Sequence, residues 1–148
     1  MSVAVILLVE DDPNDVLLTR RAFAKAGVSA SLSVVEDGDA AVDYLAGTGP
    51  YADRTQYPLP TIVLLDLKLP RRSGLEVLTW IRQQSPLKRI PVVVLTSSRE
   101  SVDVNRAYDQ GANSYLVKPV SFEELAKLMH ALNVYWDGWN VKPEMGAA

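Results

Sequence analysis

The chain has 148 residues, of which 48% are hydrophobic and 22% charged, a composition that fits one globular domain with an adequate core. Its net charge of −3, with no run of basic residues longer than a pair, argues against a nucleic-acid-binding surface. The absence of cysteine excludes disulfides and thiolate metal sites. The longest apolar run, residues 3–9, is far shorter than the roughly 20 residues of a membrane helix and follows no basic segment of a signal peptide, so we expect a soluble cytoplasmic protein that does not bind membranes.

The first predicted unit is a strand followed by a helix. Residues 3–9 are typical of a buried strand, and the acids Glu10, Asp11 and Asp12 come directly after it. Asp12 before Pro13 is typical of the cap and first position of a helix. This helix should end at Gly27, and its apolar residues at helical spacing are Val16, Leu17, Phe23 and Ala24.

The second unit ends in an irregular segment. Residues 32–35 predict a strand, and Asp37-Gly38 opens a helix with the apolar residues Ala41, Val42, Tyr44 and Leu45. Residues 47–60 then exceed the roughly 2–6 residues usual between helix and strand. Residues 47–52 match a dinucleotide-binding glycine pattern, but they follow a helix rather than a strand and contain Pro50. We therefore interpret the insertion as a mobile or partner-binding loop.

The second half of the chain predicts three more strands. One ends at Asp66, another covers residues 90–95, and the last covers residues 114–117. Capping boxes at residues 73–76 and 121–124 open the third and last helices, and a helix from about Ser101 stops near Gly111. The apolar residues available for burial are Leu75, Leu78, Trp80 and Ile81 in the third helix, and Phe122, Leu125, Leu128, Met129 and Leu132 in the last, which we expect to continue to Trp136. Five alternations of strand and helix predict an α/β fold with a doubly wound parallel sheet.

Asp66 is the residue around which we expect a functional site. It ends a strand that is apolar throughout, and an unpaired charge inside such a strand would cost several kcal/mol or more. Asp66 is therefore expected at the solvent-facing carboxyl edge of the sheet, where open α/β folds bind their ligands.

The same edge should collect other polar residues, because the carboxyl ends of parallel strands meet there. They are Glu10 and Asp11 from the first strand, Thr96 from the fourth and Lys118 from the fifth. Carboxylates without sulfur or imidazole ligands suit Mg²⁺, and Mg²⁺ would also relieve their mutual repulsion. Such a cluster could hold a tetrahedral dianion beside Asp66.

A carboxylate nucleophile with a metal and a lysine can accept a phosphoryl group as an acyl phosphate. The only histidine, His130, falls on the last helix, so the phosphate should come from outside. Asp12 is interpreted as an N-cap, and Asp15 and Asp37 as solvated helix-start residues rather than members of the site.

These residues resemble the receiver domain of two-component response regulators, over nearly the whole chain. The resemblance implies a flavodoxin-like sheet of strand order 2-1-3-4-5 with five helices. The matching segments, each weak alone but specific in this order, are Val9-Glu10-Asp11-Asp12, Leu65-Asp66-Leu67-Lys68-Leu69-Pro70 with Gly74, Thr96-Ser97 and Lys118-Pro119.

The resemblance also implies a role for each residue. Asp66 would be phosphorylated by a partner sensor histidine kinase, and Mg²⁺ or Mn²⁺ would be bound by Asp11, Asp66 and the Lys68 carbonyl, with Glu10 acting through water. The remaining implied roles are phosphoryl binding by Thr96 and Lys118, switching by Thr96 and Tyr115, and tuning of dephosphorylation by Lys68 and Ser98.

Two departures from a minimal receiver resemble the single-domain regulators that partner bacterial phytochrome kinases. One is the insertion at residues 47–60, and the other is an aromatic tail with Tyr135, Trp136 and Trp139. Aromatic residues of this kind are typical of interface cores, so we expect the tail to form a homodimer rather than only pack on its own domain.

We therefore predict a receiver domain at residues 1–136 and a tail at residues 137–148, with no output domain. Phosphorylation would change a surface, around the fourth helix, fifth strand and fifth helix, offered to another protein. A stand-alone chemotaxis-type receiver or a phosphorelay intermediate is the alternative. An aspartyl-phosphate phosphatase is a different class, but it needs a second Asp where this chain has Lys68, and a flavin- or nucleotide-binding domain would need a glycine loop between strand and helix.

Overall fold

The computed structural model describes residues 4–145 and shows one parallel sheet of five strands. In chain order the strands are β1 (Val5–Val9), β2 (Ser31–Val35), β3 (Ile62–Leu65), β4 (Val92–Thr96) and β5 (Ser114–Val117). Side by side they lie in the order β2-β1-β3-β4-β5. The predicted α/β fold and strand order 2-1-3-4-5 are confirmed.

Helices cover both faces of the sheet. The helices are α1 (Pro13–Ala26), α2 (Gly38–Ala46), α3 (Gly74–Gln83), α4 (Ser101–Asp109) and α5 (Phe122–Asn133). Helices α1 and α5 pack together on one face, α2 packs with α3 on the other, and α4 lies against α3 and β5. Between residues 4 and 145, no helix is both long and apolar enough to cross a membrane.

The strands are buried on both faces, and successive side chains alternate between two cores. Leu7 and Val63 belong to the core under α2 and α3, whereas Leu8 and Leu64 belong to the core under α1 and α5. This double burial explains why the strands are continuous apolar runs rather than alternating ones.

Several boundaries differ from the prediction. β1 begins at Val5, and Val3, the predicted start, lies outside the described residues. β4 begins at Val92 rather than Ile90, because Ile90 instead closes a turn by donating its backbone N–H to the Leu87 carbonyl at 2.9 Å. β4 also includes Thr96, which had been expected just after it.

The helix starts follow the predicted caps with one exception. Asp12 accepts a hydrogen bond from the Asn14 backbone at 2.8 Å, and Ser73 forms a complete capping box with Glu76. At α5 only the Ser121 half of the predicted box forms, because the Glu124 carboxylate instead pairs with Lys127 at 3.2 Å, one turn along.

The buried faces of two helices were predicted only in part. On α1, Leu17 and Ala24 face solvent, because the side toward the sheet carries residues one position away, such as Val16 and Phe23. On α3, Trp80 is half-buried at the margin of the core rather than inside it.

The insertion at residues 47–60 is folded against the helix layer. Tyr51 and Tyr57 form an aromatic cluster with Tyr44 of α2, with ring centroids 5.1–6.0 Å apart. The Arg54 guanidinium donates hydrogen bonds to the carbonyls of Tyr44 at 2.7 Å and Leu45 at 2.8 Å, which satisfies the last turn of α2. The insertion therefore has a packed interior of its own, and partner binding by it stays a prediction.

The aromatic tail divides into a packed and an exposed part. A six-residue π-helical stretch, Val134–Trp139, continues α5 past the predicted end at Trp136. The Trp136 side chain packs on the α1–α5 core, whereas Tyr135 is 56% and Trp139 80% exposed. Beyond it the chain crosses the amino ends of the strands, and the Glu144 carbonyl accepts a hydrogen bond from Arg89.

Candidate functional site

Backbone ladders bring four strand ends to one edge of the sheet. Beyond the last paired residues, the Asp66 N–H donates to the Val9 carbonyl at 3.1 Å, and the Lys118 N–H donates to the Thr96 carbonyl at 2.8 Å. Glu10 continues β1 in the same way by donating to Val35. The predicted gathering of acids, threonine and lysine at the carboxyl edge is confirmed.

The Lys118 ammonium lies between three carboxylates and uses all three of its N–H donors. Its Nζ is 2.8 Å from Asp66 Oδ2 and 2.9 Å from Asp15 Oδ2, and it also donates to Glu10. Lys118 covers the acids, so Asp66 is only 6% exposed and lies deeper than the solvent-facing position we expected. The ion pairing satisfies a charge that burial alone would not tolerate.

Burial and pairing shift the titration of two groups. Burial raises the pKa of Glu10 to about 7, and the Asp66 charge adds to the rise, although the hydrogen bond from Lys118 opposes it. Burial disfavours the charged amine of Lys118, but hydrogen bonds to Asp66, Glu10 and Asp15 outweigh it and raise its pKa above the ordinary value. The lysine is therefore charged throughout the physiological range.

Three acids have a geometry that suits a divalent cation. Glu10, Asp11 and Asp66 each offer a carboxylate oxygen, and these oxygens lie within 4.8 Å of one another. Two of the acids are buried and Asp11 is exposed, which leaves one open side. An all-oxygen, incomplete ligand set fits Mg²⁺ or Mn²⁺, which keep waters and accept phosphate oxygens.

Asp15 was assigned wrongly from the sequence. We expected a solvated helix-start residue, but its carboxylate in the first turn of α1 pairs with Lys118 across the fold. Its position four residues after Asp11, on the turn of α1 closest to the strand end, was the available signal. Asp12 acts as an N-cap, as predicted, and Asp37, expected only as a solvated helix-start residue, caps α2 by accepting from the Ala40 N–H.

The loop after Asp66 holds its carboxylate from the backbone side. The Lys68 N–H donates to Asp66 Oδ1 at 3.2 Å, and the Lys68 side chain is exposed. Gly74, at the start of α3, packs directly on this loop, because a Cβ built there would lie 2.2 Å from the Asp66 carbonyl oxygen. Only glycine fits this approach.

Thr96, Ser98 and Tyr115 lie on the β4 side of the site. Thr96 is 1% exposed, and within residues 4–145 its hydroxyl makes no hydrogen bond to Asp66 or Lys118. The Tyr115 ring packs against Ala107 of α4, and its hydroxyl donates to the Ser98 carbonyl at 2.9 Å. Ser98 also donates from its side chain to Asp103, so it joins the loop after Thr96 to both α4 and β5.

The other sequence candidates lie away from this edge. His130 is exposed on α5, and its exclusion as a phosphodonor stays a prediction. Trp136 lines a cavity with Ala4 and Pro91 at the amino ends of the strands, so the tail lies at the opposite edge from Asp66.

Two curated relatives are similar to most of the chain. The probable methanogenesis regulatory protein FilR2 of Methanothrix harundinacea is 44% identical over 94% of this chain and 87% of its own length. The response regulator Rcp1 of Synechocystis is 39% identical over 89% of this chain and 88% of its own length.

Solved structures agree with the observed fold. The phosphorylated cyanobacterial phytochrome response regulator RcpA superimposes with a TM-score of 0.88 at 35% identity, covering 97% of this chain and all of that one. The Mn²⁺-bound form of Rcp1 gives a TM-score of 0.84 at 38% identity, covering 95% and 99% of the two chains. Residues 6–130 match the response regulator receiver domain family. The chain therefore belongs to the response regulator receiver domains of two-component signalling.

Proposed function

We propose that Asp66 is the phosphoryl acceptor of this receiver. The observation that carries this assignment is the buried Asp66 carboxylate, held between the Lys118 ammonium and the Lys68 backbone N–H, beside two further acids. In the transfer an Asp66 oxygen forms the new P–O bond, and the bond from phosphorus to the donor's leaving group breaks, which is a P–N bond in a phosphohistidine and a P–O bond in acetyl phosphate. The leaving group departs with the electron pair.

Each neighbouring residue has a distinct task in this proposal. Asp11, Asp66 and the Lys68 carbonyl bind the cation, and Glu10 acts through water. A bound Mg²⁺ supplies positive charge that offsets the oxygens of donor and acceptor. Lys118 exchanges its Asp66 contact for a phosphoryl oxygen.

Thr96 provides a hydroxyl donor for a second phosphoryl oxygen, and its movement is passed to Tyr115 through the Ser98 carbonyl. The Tyr115–Ser98 hydrogen bond and the Ser98–Asp103 contact support this connection, because both link the loop after Thr96 to α4. We infer that the output surface consists of α4, β5 and α5, and that Lys68 and Ser98 tune dephosphorylation from the margin of the pocket.

A sensor histidine kinase is the proposed donor. Leu17 and Leu18 are 47% and 38% exposed on α1, and Val120, just after Lys118, is fully exposed. Apolar side chains at the margin of a charged pocket suit docking of another protein. The similarity to RcpA and Rcp1 favours a kinase of the phytochrome type, and phosphotransfer from a phytochrome kinase but not from an unrelated histidine kinase would support that partnership.

The proposed function is that of a regulator rather than of an enzyme that turns over a substrate. The position two residues after Asp66 carries Lys68, where a phosphatase of the aspartyl-phosphate class would need a general acid. The two curated relatives match over 87% and 88% of their own lengths, which supports a regulator without an attached output domain. Its signal would then pass to a separate protein, as in a chemotaxis-type receiver or a phosphorelay.

Intact-mass spectrometry after incubation with acetyl phosphate tests the phosphoryl assignment. We expect one phosphoryl adduct that requires Mg²⁺ and is absent in Asp66→Asn. Asp12→Asn, which makes the same change in an exposed N-cap, should keep the adduct. An adduct that persists in Asp66→Asn, or none in the wild type, would contradict the proposal.

We also propose that the exposed part of the tail forms a homodimer. Tyr135 and Trp139 project from the π-helical stretch, and Val134 and Val141 are exposed on either side, at 42% and 90%. Light scattering should give a dimer for the wild type and a monomer for the double variant Tyr135→Ala, Trp139→Ala. A monomeric wild type, with and without acetyl phosphate, would refute this interface.

A further inference from the structure

Asp15 lies in the site, but the phosphoryl transfer proposed above gives it no role. Its carboxylate lies 2.9 Å from Lys118 Nζ, and its side chain is 37% exposed, whereas those of Glu10 and Asp66 are 3% and 8% exposed. Asp15 is therefore the outermost of the three acids that hold the ammonium. It is not among the acids whose oxygens cluster for a cation.

The ammonium of Lys118 has three donors, and all three are engaged by carboxylates. A phosphoryl oxygen on Asp66 can gain a hydrogen bond from Lys118 only if one of these contacts is given up or shared. Asp66 releases its own contact when its carboxylate becomes an acyl phosphate. Asp15, however, keeps its charge and continues to attract the amine toward α1.

We propose that Asp15 is a positioning residue that holds Lys118 away from the phosphoryl group and so restrains phosphorylation of the receiver. This inference rests on the proposed role of Asp66. Two effects act in the same direction: the carboxylate competes for the lysine, and its negative charge opposes a dianion placed nearby. Removing the charge of Asp15 therefore favours the phosphorylated state.

Asp15→Asn, an almost isosteric change, tests the proposal. The phosphorylated fraction is measured by intact mass at several acetyl phosphate concentrations and saturating Mg²⁺, so that no kinase contact is involved. We expect the half-saturating acetyl phosphate concentration to fall about three- to tenfold, because this is the change in an equilibrium constant that the loss of one partly exposed ion pair typically causes. Asp12→Asn is the matched control. It removes an equal charge three residues before Asp15, and the Asp12 side chain accepts its hydrogen bond from the Asn14 N–H of its own helix.

A second readout separates positioning from a general effect on folding. In ¹⁵N-labelled protein without donor, the side-chain ammonium signal of Lys118 should be protected from exchange, lose protection in Asp15→Asn, and keep it in Asp12→Asn and Asp15→Glu. An unchanged Lys118 signal in Asp15→Asn, or half-saturation equal in the two Asn variants, would overturn the proposal. A wild type that takes up no phosphoryl group would instead overturn the role of Asp66, and this result is seen before any Asp15 variant is compared.

Discussion

At the scale of single residues, the site depends on direct contacts between Asp66 and its neighbours. Asp66 is buried, and its charge is tolerated because Lys118 and the Lys68 N–H contact it directly. The backbone that carries Asp66 is in turn fixed by contact with Gly74. Because this contact is between backbone atoms, no rotamer change can relieve an added side chain.

The first prediction concerns Gly74→Ala. Its new Cβ would lie 2.2 Å from the Asp66 carbonyl oxygen and 2.6 Å from the Leu67 Cα, so the loop carrying Asp66 must shift. We expect phosphoryl uptake from acetyl phosphate to fall about tenfold or more. The free energy of unfolding should fall by about 1–3 kcal/mol.

The control is Gly138→Ala, where a Cβ meets nothing within 4 Å. It should change neither phosphoryl uptake nor the urea midpoint. Normal uptake by Gly74→Ala would show that the loop relaxes without moving the carboxylate.

At the scale of elements, one side chain from the insertion completes a helix. Arg54 donates to the carbonyls of Tyr44 and Leu45 at the end of α2 and to that of Tyr57 within the insertion. The Tyr44 carbonyl also accepts the Gly47 backbone N–H, so Arg54 adds a second donor there, supplies a donor to the Leu45 carbonyl, and offsets the negative dipole at the helix end. The insertion and α2 should therefore unfold together.

The second prediction is that Arg54→Ala lowers the free energy of unfolding by about 1–3 kcal/mol, because three partly buried carbonyls lose the hydrogen bonds from the guanidinium. Arg54→Lys should recover only part of the loss, since an ammonium cannot reproduce the planar fork. Urea unfolding measures both changes. Arg20→Ala, on the exposed side of α1, should have almost no effect. Equal stability of the Arg54 and Arg20 variants would contradict the capping role.

At the scale of the whole molecule, the two edges of the sheet carry different groups of residues. The carboxyl edge carries the acids and Lys118, and the amino edge is crossed by the tail from Trp136 to Met145. The half-buried Trp136 and the 80% exposed Trp139 belong to the same π-helical stretch but face different surroundings. Substitutions in the tail should therefore be able to change the free energy of unfolding without changing dimer formation, and the reverse.

The third prediction compares Trp136→Ala with Trp139→Ala. Trp136 packs on the α1–α5 core, so its truncation should lower the free energy of unfolding by about 1–3 kcal/mol. Trp139→Ala should leave it within about 0.5 kcal/mol at protein concentrations where the chain is monomeric. Thermal or urea unfolding at low concentration measures both, and the reverse order of stabilities would show that the tail packs differently.

Helix number and the acids at the strand ends could be predicted because they depend on local patterns, whereas the strand order was implied by the resemblance to receiver domains. Residues 62–65 are apolar throughout and Asp66 follows them, so the strand and its charged end are visible in one short segment. The same holds for the Asp12 and Ser73 caps, where both hydrogen-bonding partners lie within three residues.

The tertiary structure decided what depends on contacts between distant segments. Asp15 joins Lys118 across 103 positions of the chain. The position of Asp15 close to the end of β1 indicates that it lies near the site, but the first turn of α1 does not reveal which distant residue it pairs with. Leu17 faces solvent because the direction in which α1 packs, rather than its spacing alone, selects the buried side. Local sequence thus determined the elements and the place of Asp66 at the end of a strand, whereas charge pairing and packing between elements determined how deeply Asp66 is buried and which acids share its lysine.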